Sequence, residues 1–157
     1  MKKALLLFVV LFLSSICILH AENSPAVSAT LGQSGTITVH IAGLKNLEGM
    51  VGVSLFNTQK GFPGKHEQAY TKQLKKITAS TDKVVFENLP YGTYAVSVLH
   101  DENSNGKLDT TFLIGIPKEG IGVSNNPKIG RGAPQYKDCM FTLDTREVEL
   151  TIPMRYF

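Results

Sequence analysis

Apolar residues alternate with polar ones in six short runs along the chain: Ile37, Val39 and Ile41; Val51, Val53 and Leu55; Val84 and Phe86; Tyr94, Val96 and Val98; Phe141 and Leu143; and Val148, Leu150 and Ile152. Successive strand side chains point to opposite faces, so a period of two predicts half-buried β-strands. The residues between them, including Thr36, Thr38, His40, Ser54, Ser97, Glu147 and Glu149, predict a second face turned to solvent. A further strand is expected from about Tyr70 to Ile77, where Lys72, Lys75 and Lys76 read as charges guarding a sheet edge. After the first 21 residues no segment sustains a helical period.

Short strands separated by Gly, Pro and Asn signals predict an all-β fold: a single antiparallel β-sandwich of about seven strands, immunoglobulin-like or prealbumin-like. A small closed barrel is the alternative. Brief connections at Asn46–Gly49, Pro90–Gly92 and Asp144–Arg146 predict hairpins between neighbouring strands. Two regions break the regularity. Thr58–Glu67 carries Gly61-Phe62-Pro63-Gly64, and Gly115–Pro134 holds five glycines and three prolines. Loops of that length either bind something or pack as an ordered cover over one end of the sandwich.

The N-terminus reads as a secretory signal. Lys2 and Lys3 precede an apolar run from Ala4 to Leu19, and small or polar residues follow from Ala21. The run is shorter than the ~20 residues needed to span a bilayer, so cleavage after Ala21 is expected rather than a permanent membrane span. Cys17 raises lipidation, but the bulky Ile16 before it argues against that. Residues 1–21 are then a signal peptide, 22–34 a flexible N-terminal segment and 35–157 the β-sandwich domain of an exported, periplasmic or extracellular protein.

Cleavage leaves 136 residues, enough for one domain with its own core, and keeps 14 basic against 13 acidic side chains, a net charge of +1. That near-neutrality gives no electrostatic reason to expect nucleic acid as a partner. Cys139 remains as the only cysteine, so no internal disulfide forms. Its setting, Cys139-Met140-Phe141-Thr142-Leu143, reads as a strand carrying a small buried hydrophobe.

Candidate chemistry is concentrated in Asp101-Glu102-Asn103-Ser104-Asn105-Gly106-Lys107-Leu108-Asp109. With Asp101 as position one, Asn103, Asn105, Lys107 and Asp109 fall at three, five, seven and nine, and Gly106 at six. Calcium takes six to eight hard oxygens, and such a loop supplies them from alternate side chains and a backbone carbonyl at position seven, here that of Lys107. Position twelve is Phe112, not glutamate, and the flanks are not helical, so this is no EF-hand. Remaining ligands fall to water or to Glu102, Glu119 or Asp138, between which the sequence does not choose. In the competing reading, Asn and Asp side chains cap their own backbone and Asn105-Gly106 makes a tight turn.

Of the histidines left after cleavage, His40, His66 and His100, the last continues the Tyr94–Val98 alternation and is expected inward as a structural, hydrogen-bonded group. No pairing on one face suggests zinc. Gly122–Asn126 is no nucleophile elbow and Gly130-Arg131-Gly132 no phosphate loop, since neither opens a helix.

Several motifs recur together: Gly49–Asn57, Gly61-Phe62-Pro63, Leu89–Val96, His100–Asn103 with Asn105–Asp109, Gly115-Ile116-Pro117, Glu119-Gly120 and Ser124-Asn125-Asn126. Taken in order they resemble the exported bacterial proteins called domain of unknown function 2141, over about Gly35 to Met154. The resemblance implies an exported sandwich, without an established activity, whose acidic loop and Gly115–Asn126 segment form the functional surface. The expectation is a non-enzymatic binding or structural module, stabilised by calcium, with a protein, glycan or envelope component as partner. Two alternatives stay open: a hydrolase-like enzyme using His100 with Asp101 or Asp109, and a carrier of a small apolar ligand between the sheets.

Overall fold

The computed structural model describes residues 33–79, 82–128 and 132–157. The expected signal peptide, Cys17, nearly all of the 22–34 segment, and Gly130 and Arg131 lie outside these. Among the described residues eight strands form: β1 (Ser34–Ala42), β2 (Met50–Phe56), β3 (Thr71–Lys76), β4 (Asp82–Pro90), β5 (Gly92–Asp101), β6 (Gly120–Val123), β7 (Phe141–Leu143) and β8 (Glu147–Pro153). One α-helical turn, α1 (Tyr136–Cys139), precedes β7, and a 3-10 turn covers His66–Gln68. Every run of alternation coincides with a strand, and β6 is the addition to the seven expected.

The strands make a β-sandwich of two sheets, one ordered β4-β1-β8 and the other β3-β2-β5-β6, with β7 pairing to the start of β5. Pairing is antiparallel except between β1 and β8, which run parallel from Thr36 opposite Glu147 to Ala42 opposite Pro153. The inward residues are those the alternation selects. Ile37, Val39 and Ile41 meet Val51, Val53 and Leu55, with Phe86, Tyr94, Val96, Val98, Leu143 and Ile152 closing the core. β3 is an edge strand, as its lysines imply, and Lys75 pairs with Asp82 at the start of β4.

Two expectations are corrected. The short connections are not hairpins: Asn46–Gly49, Tyr91 and Asp144–Arg146 each carry the chain from one sheet to the other. Sheets pack ~10 Å apart, a gap that two or three extended residues at ~3.3 Å each can cross. The hairpin partners, β2 with β3 and β5 with β6, are instead joined by long connections, residues 57–70 and 102–119, and β6 itself interrupts the Gly115–Pro134 stretch expected to be loop.

The outer face of the larger sheet is also not solvated over β5 and the end of β2, although it stays exposed on β3. Ser54 and Ser97 are buried, and β5 is buried on both faces from Tyr94 onward. The cover is a second apolar cluster of Ala95, Val123 and Cys139 under Phe62 and Tyr136, brought back by the two long loops. Phe62 sits edge-on between Phe56 and Tyr136, with ring centroids 5.3 and 5.7 Å away. Thr38, on the smaller sheet, is buried as well.

Cys139 is buried as expected but ends α1 instead of lying in a strand. Burial, reinforced by the Asp138 carboxylate, pushes its thiol up to about 11. Ser124, fully buried, accepts from the Val96 amide and donates to the Cys139 carbonyl, which makes it a structural clamp between β5 and α1.

Candidate functional site

The acidic loop begins on a central strand. Asp101 is the last residue of β5, opposite Met50 of β2, and its side chain is almost fully enclosed at 2% exposure. A carboxylate so placed needs hydrogen bonds, and it receives two: the Asn105 amide donates to Oδ1 at 3.0 Å and the Gly106 amide to Oδ2 at 2.7 Å. The backbone reaches that position by coiling through Ser104 at φ 57° and Gly106 at φ 76°, a left-handed conformation that glycine adopts without steric cost.

Further turns are capped by side chains. Asn103 Oδ1 accepts from the Asn105 amide at 3.0 Å, and Asn105 Oδ1 from the Lys107 amide at 2.8 Å. Asp109 closes the ring. Its Oδ2 accepts from the amide groups of both Asn103, at 2.7 Å, and Asn105, at 3.2 Å. The structure therefore brings Asn103, Asn105 and Asp109 together, and holds Asp101 against the same backbone. Lys107 enters through its backbone amide, while its side chain is exposed.

The three acidic residues that the sequence leaves unranked separate clearly. Glu119 is buried and spans the loop's two ends, Oε1 accepting from the Glu102 amide at 3.2 Å and Oε2 from the Asp109 amide at 2.9 Å. Glu102 turns the other way, toward Asn46 Nδ2 at 2.8 Å and Lys45 Nζ at 3.7 Å. Asp138 lies on α1 and makes no side-chain hydrogen bond to the loop among the described residues. Glu119 stands ten residues beyond Asp109, so no fixed-spacing loop pattern would have singled it out.

His100 is enclosed at 0% exposure, beside the loop but not facing it. Nε2 lies 2.9 Å from the Glu48 carbonyl, which only accepts, so that nitrogen carries the proton and donates. Nδ1 then accepts from the Tyr156 hydroxyl at 2.6 Å. Burial raises the Tyr156 phenol above its ordinary range, which keeps it a donor; the Lys45 amide opposes the rise and the Glu102 carboxylate adds to it. Tyr156 packs on Gly120, where a Cβ would come within 2.5 Å of the ring. Sequence alone gave no sign of Tyr156.

A second polar pair lies on the far face. Ser54 Oγ is 2.9 Å from His66 Nδ1, and burial followed by the Lys72 charge lowers the His66 pKa, with Glu67 opposing. Beside it runs a cleft of about 680 Å³ between the outer face of β5 and β6 and the 108–117 segment. Past the acidic loop, Phe112, Leu113 and Ile114 form an apolar tip, with Phe112 and Leu113 close to 90% exposed. Among the described residues no three His, Cys, Asp or Glu side chains gather in a metal-holding group, and no helix is long and apolar enough to cross a membrane.

Fold and loop define a class: a two-sheet β-sandwich with a self-capped acidic Asn/Gly loop at the end of a central strand. The chain belongs to the bacterial family described as "Uncharacterized protein conserved in bacteria (DUF2141)", whose model matches residues 39–151, a span that includes the whole loop and Glu119. No curated protein and no solved structure matches the chain.

Proposed function

We propose that the protein is an exported, non-catalytic binding module whose 101–109 loop takes up calcium and so fixes the neighbouring Gly115–Asn126 segment for contact with a protein, glycan or envelope component. The observation that carries this reading is that the side chains of Asp101, Asn103, Asn105 and Asp109 are gathered in one loop, Asn103 and Asn105 donating their Nδ2 groups to Asp109 Oδ2 and Asp101 anchored to the same turns.

The donor set fits the ion. It consists of carboxylate, carboxamide and backbone oxygens, hard ligands suited to calcium rather than to zinc or copper. Each oxygen that accepts one backbone N–H retains a lone pair for a second partner. Asp101, Asn103, Asn105, Asp109 and the Lys107 carbonyl would hold the ion, with water completing the shell and Glu119 bracing the loop ends. Two carboxylates among these donors imply weak binding, with Kd ~10⁻⁴ to 10⁻³ M, the range of extracellular modules.

A non-catalytic role is supported by His100, whose ring nitrogens are both engaged by structural partners and whose surface is closed to solvent. The test is a thermal melt in chelator and in millimolar calcium, comparing the protein with Asp109→Asn. A rise in Tm that the variant loses supports calcium uptake, and equal melting in all four samples removes the ion from the account.

A further inference from the structure

The cleft beside β5 and β6 has a lining with no Asp, Glu, Lys or Arg side chain among the described residues. Leu99 and Ile121 form its floor, Leu108 and Ile116 one wall, and Phe157 borders it. Its volume of about 680 Å³ lies within the ~300–1,000 Å³ typical of small-molecule sites. Apolar walls of this kind gain by removing hydrocarbon from water, and they penalise any charge that cannot be paired there.

Polarity enters at two points. Ser97 and His66 both line the cleft. His66 Nδ1 is held by Ser54 Oγ, and among the described residues no side chain or backbone group bonds Nε2. Burial keeps the ring neutral near pH 7, so the site offers hydrogen bonding without charge.

We propose that this cleft binds a neutral, largely hydrocarbon small molecule, of lipid-like or polycyclic character, oriented by one hydrogen-bonding group toward His66 and Ser97. None of Asp101, Asn103, Asn105 or Asp109 lines the cleft, so the inference stands apart from the calcium reading. The exposed Leu113 lies three residues before Ile116 but outside the lining, which gives an internal control.

The experiment is a fluorescence titration with the neutral probe N-phenyl-1-naphthylamine, in chelator and in calcium, using the protein, Ile116→Asp and Leu113→Asp. Ile116 is 42% exposed, so its replacement spares the core, and circular dichroism verifies folding. The expected result is saturable binding at one site per chain, weakened at least tenfold by Ile116→Asp and changed less than twofold by Leu113→Asp. Non-saturable binding, equal loss in both variants, or enhancement that tracks dimer formation in light scattering overturns the proposal. A calcium-dependent Tm without probe binding refutes the cleft site alone; probe binding without a calcium effect refutes the ion site alone.

Discussion

Removing the Asp101 carboxylate should destabilise the fold even when no calcium is present. The side chain is 2% exposed and accepts from the Asn105 and Gly106 amides at 3.0 and 2.7 Å. Hydrogen bonds to a charged group contribute about 1.5–3 kcal/mol each. Both donors sit on exposed residues and can rehydrate, so the lower end applies, and Asp101→Ala should cost about 3 kcal/mol. For a domain of this size about 3–4 °C of Tm is lost per kcal/mol, which gives a fall of about 10 °C. The assay is differential scanning calorimetry in excess chelator at physiological ionic strength, where repulsion among the loop carboxylates is screened. Asp109→Asn retains its accepting oxygen and should stay within about 1 kcal/mol of the parent under the same conditions. A loss below about 3 °C for Asp101→Ala would refute the reasoning, because the carboxylate would then not be holding the turns in the absence of the ion.

Other outcomes follow from the buried polar groups. Tyr156→Phe keeps the ring on Gly120 but strips Nδ1 of His100 of its donor, at a cost of about 1–3 kcal/mol in urea denaturation, with the Lys45 amide rehydrated. His66, with a pKa lowered in the fold, binds its proton more readily when unfolded. Its contribution is complete above its ordinary value of 6.5 and is lost as pH falls toward the lowered value, so Tm should drop below about pH 6.5, less steeply in His66→Gln. Cys139, buried and held to about 11, should react with a thiol reagent at neutral pH only as fast as the protein opens, and promptly in denaturant.

The inward face of the sandwich was legible because β1, β2, β4, β5 and β8 alternate cleanly, and the lysines of β3 announced its edge. β6 was not legible. It is four residues long with two glycines, which are required because Tyr156 would meet a Cβ on Gly120 at 2.5 Å and Ile152 one on Gly122 at 2.7 Å. Close packing from another strand thus erased the hydrophobic signal that a strand ordinarily carries. The burial of Ser54 and Ser97 was hidden for a different reason: alternation identifies two faces, but not a loop that folds back to cover the polar one. Spacing within Asp101–Asp109 located the acidic loop, whereas the choice of Glu119 over Glu102 and Asp138 as its brace, and Tyr156 as the partner of His100, are visible only in three dimensions.

The central claim is that the Asp101–Asp109 loop takes up calcium, and the most direct test is a calcium titration of Tm for the protein beside Asp109→Asn. With a Kd of about 0.3 mM, 10 mM calcium stabilises the native state by about 2 kcal/mol, and Tm should rise by about 6–8 °C. That rise should be saturable, reversed by chelator, absent with magnesium at equal concentration and lost in Asp109→Asn. A flat titration, or an equal rise in the variant, would contradict the account and leave the loop a turn held together by its own Asn and Asp side chains.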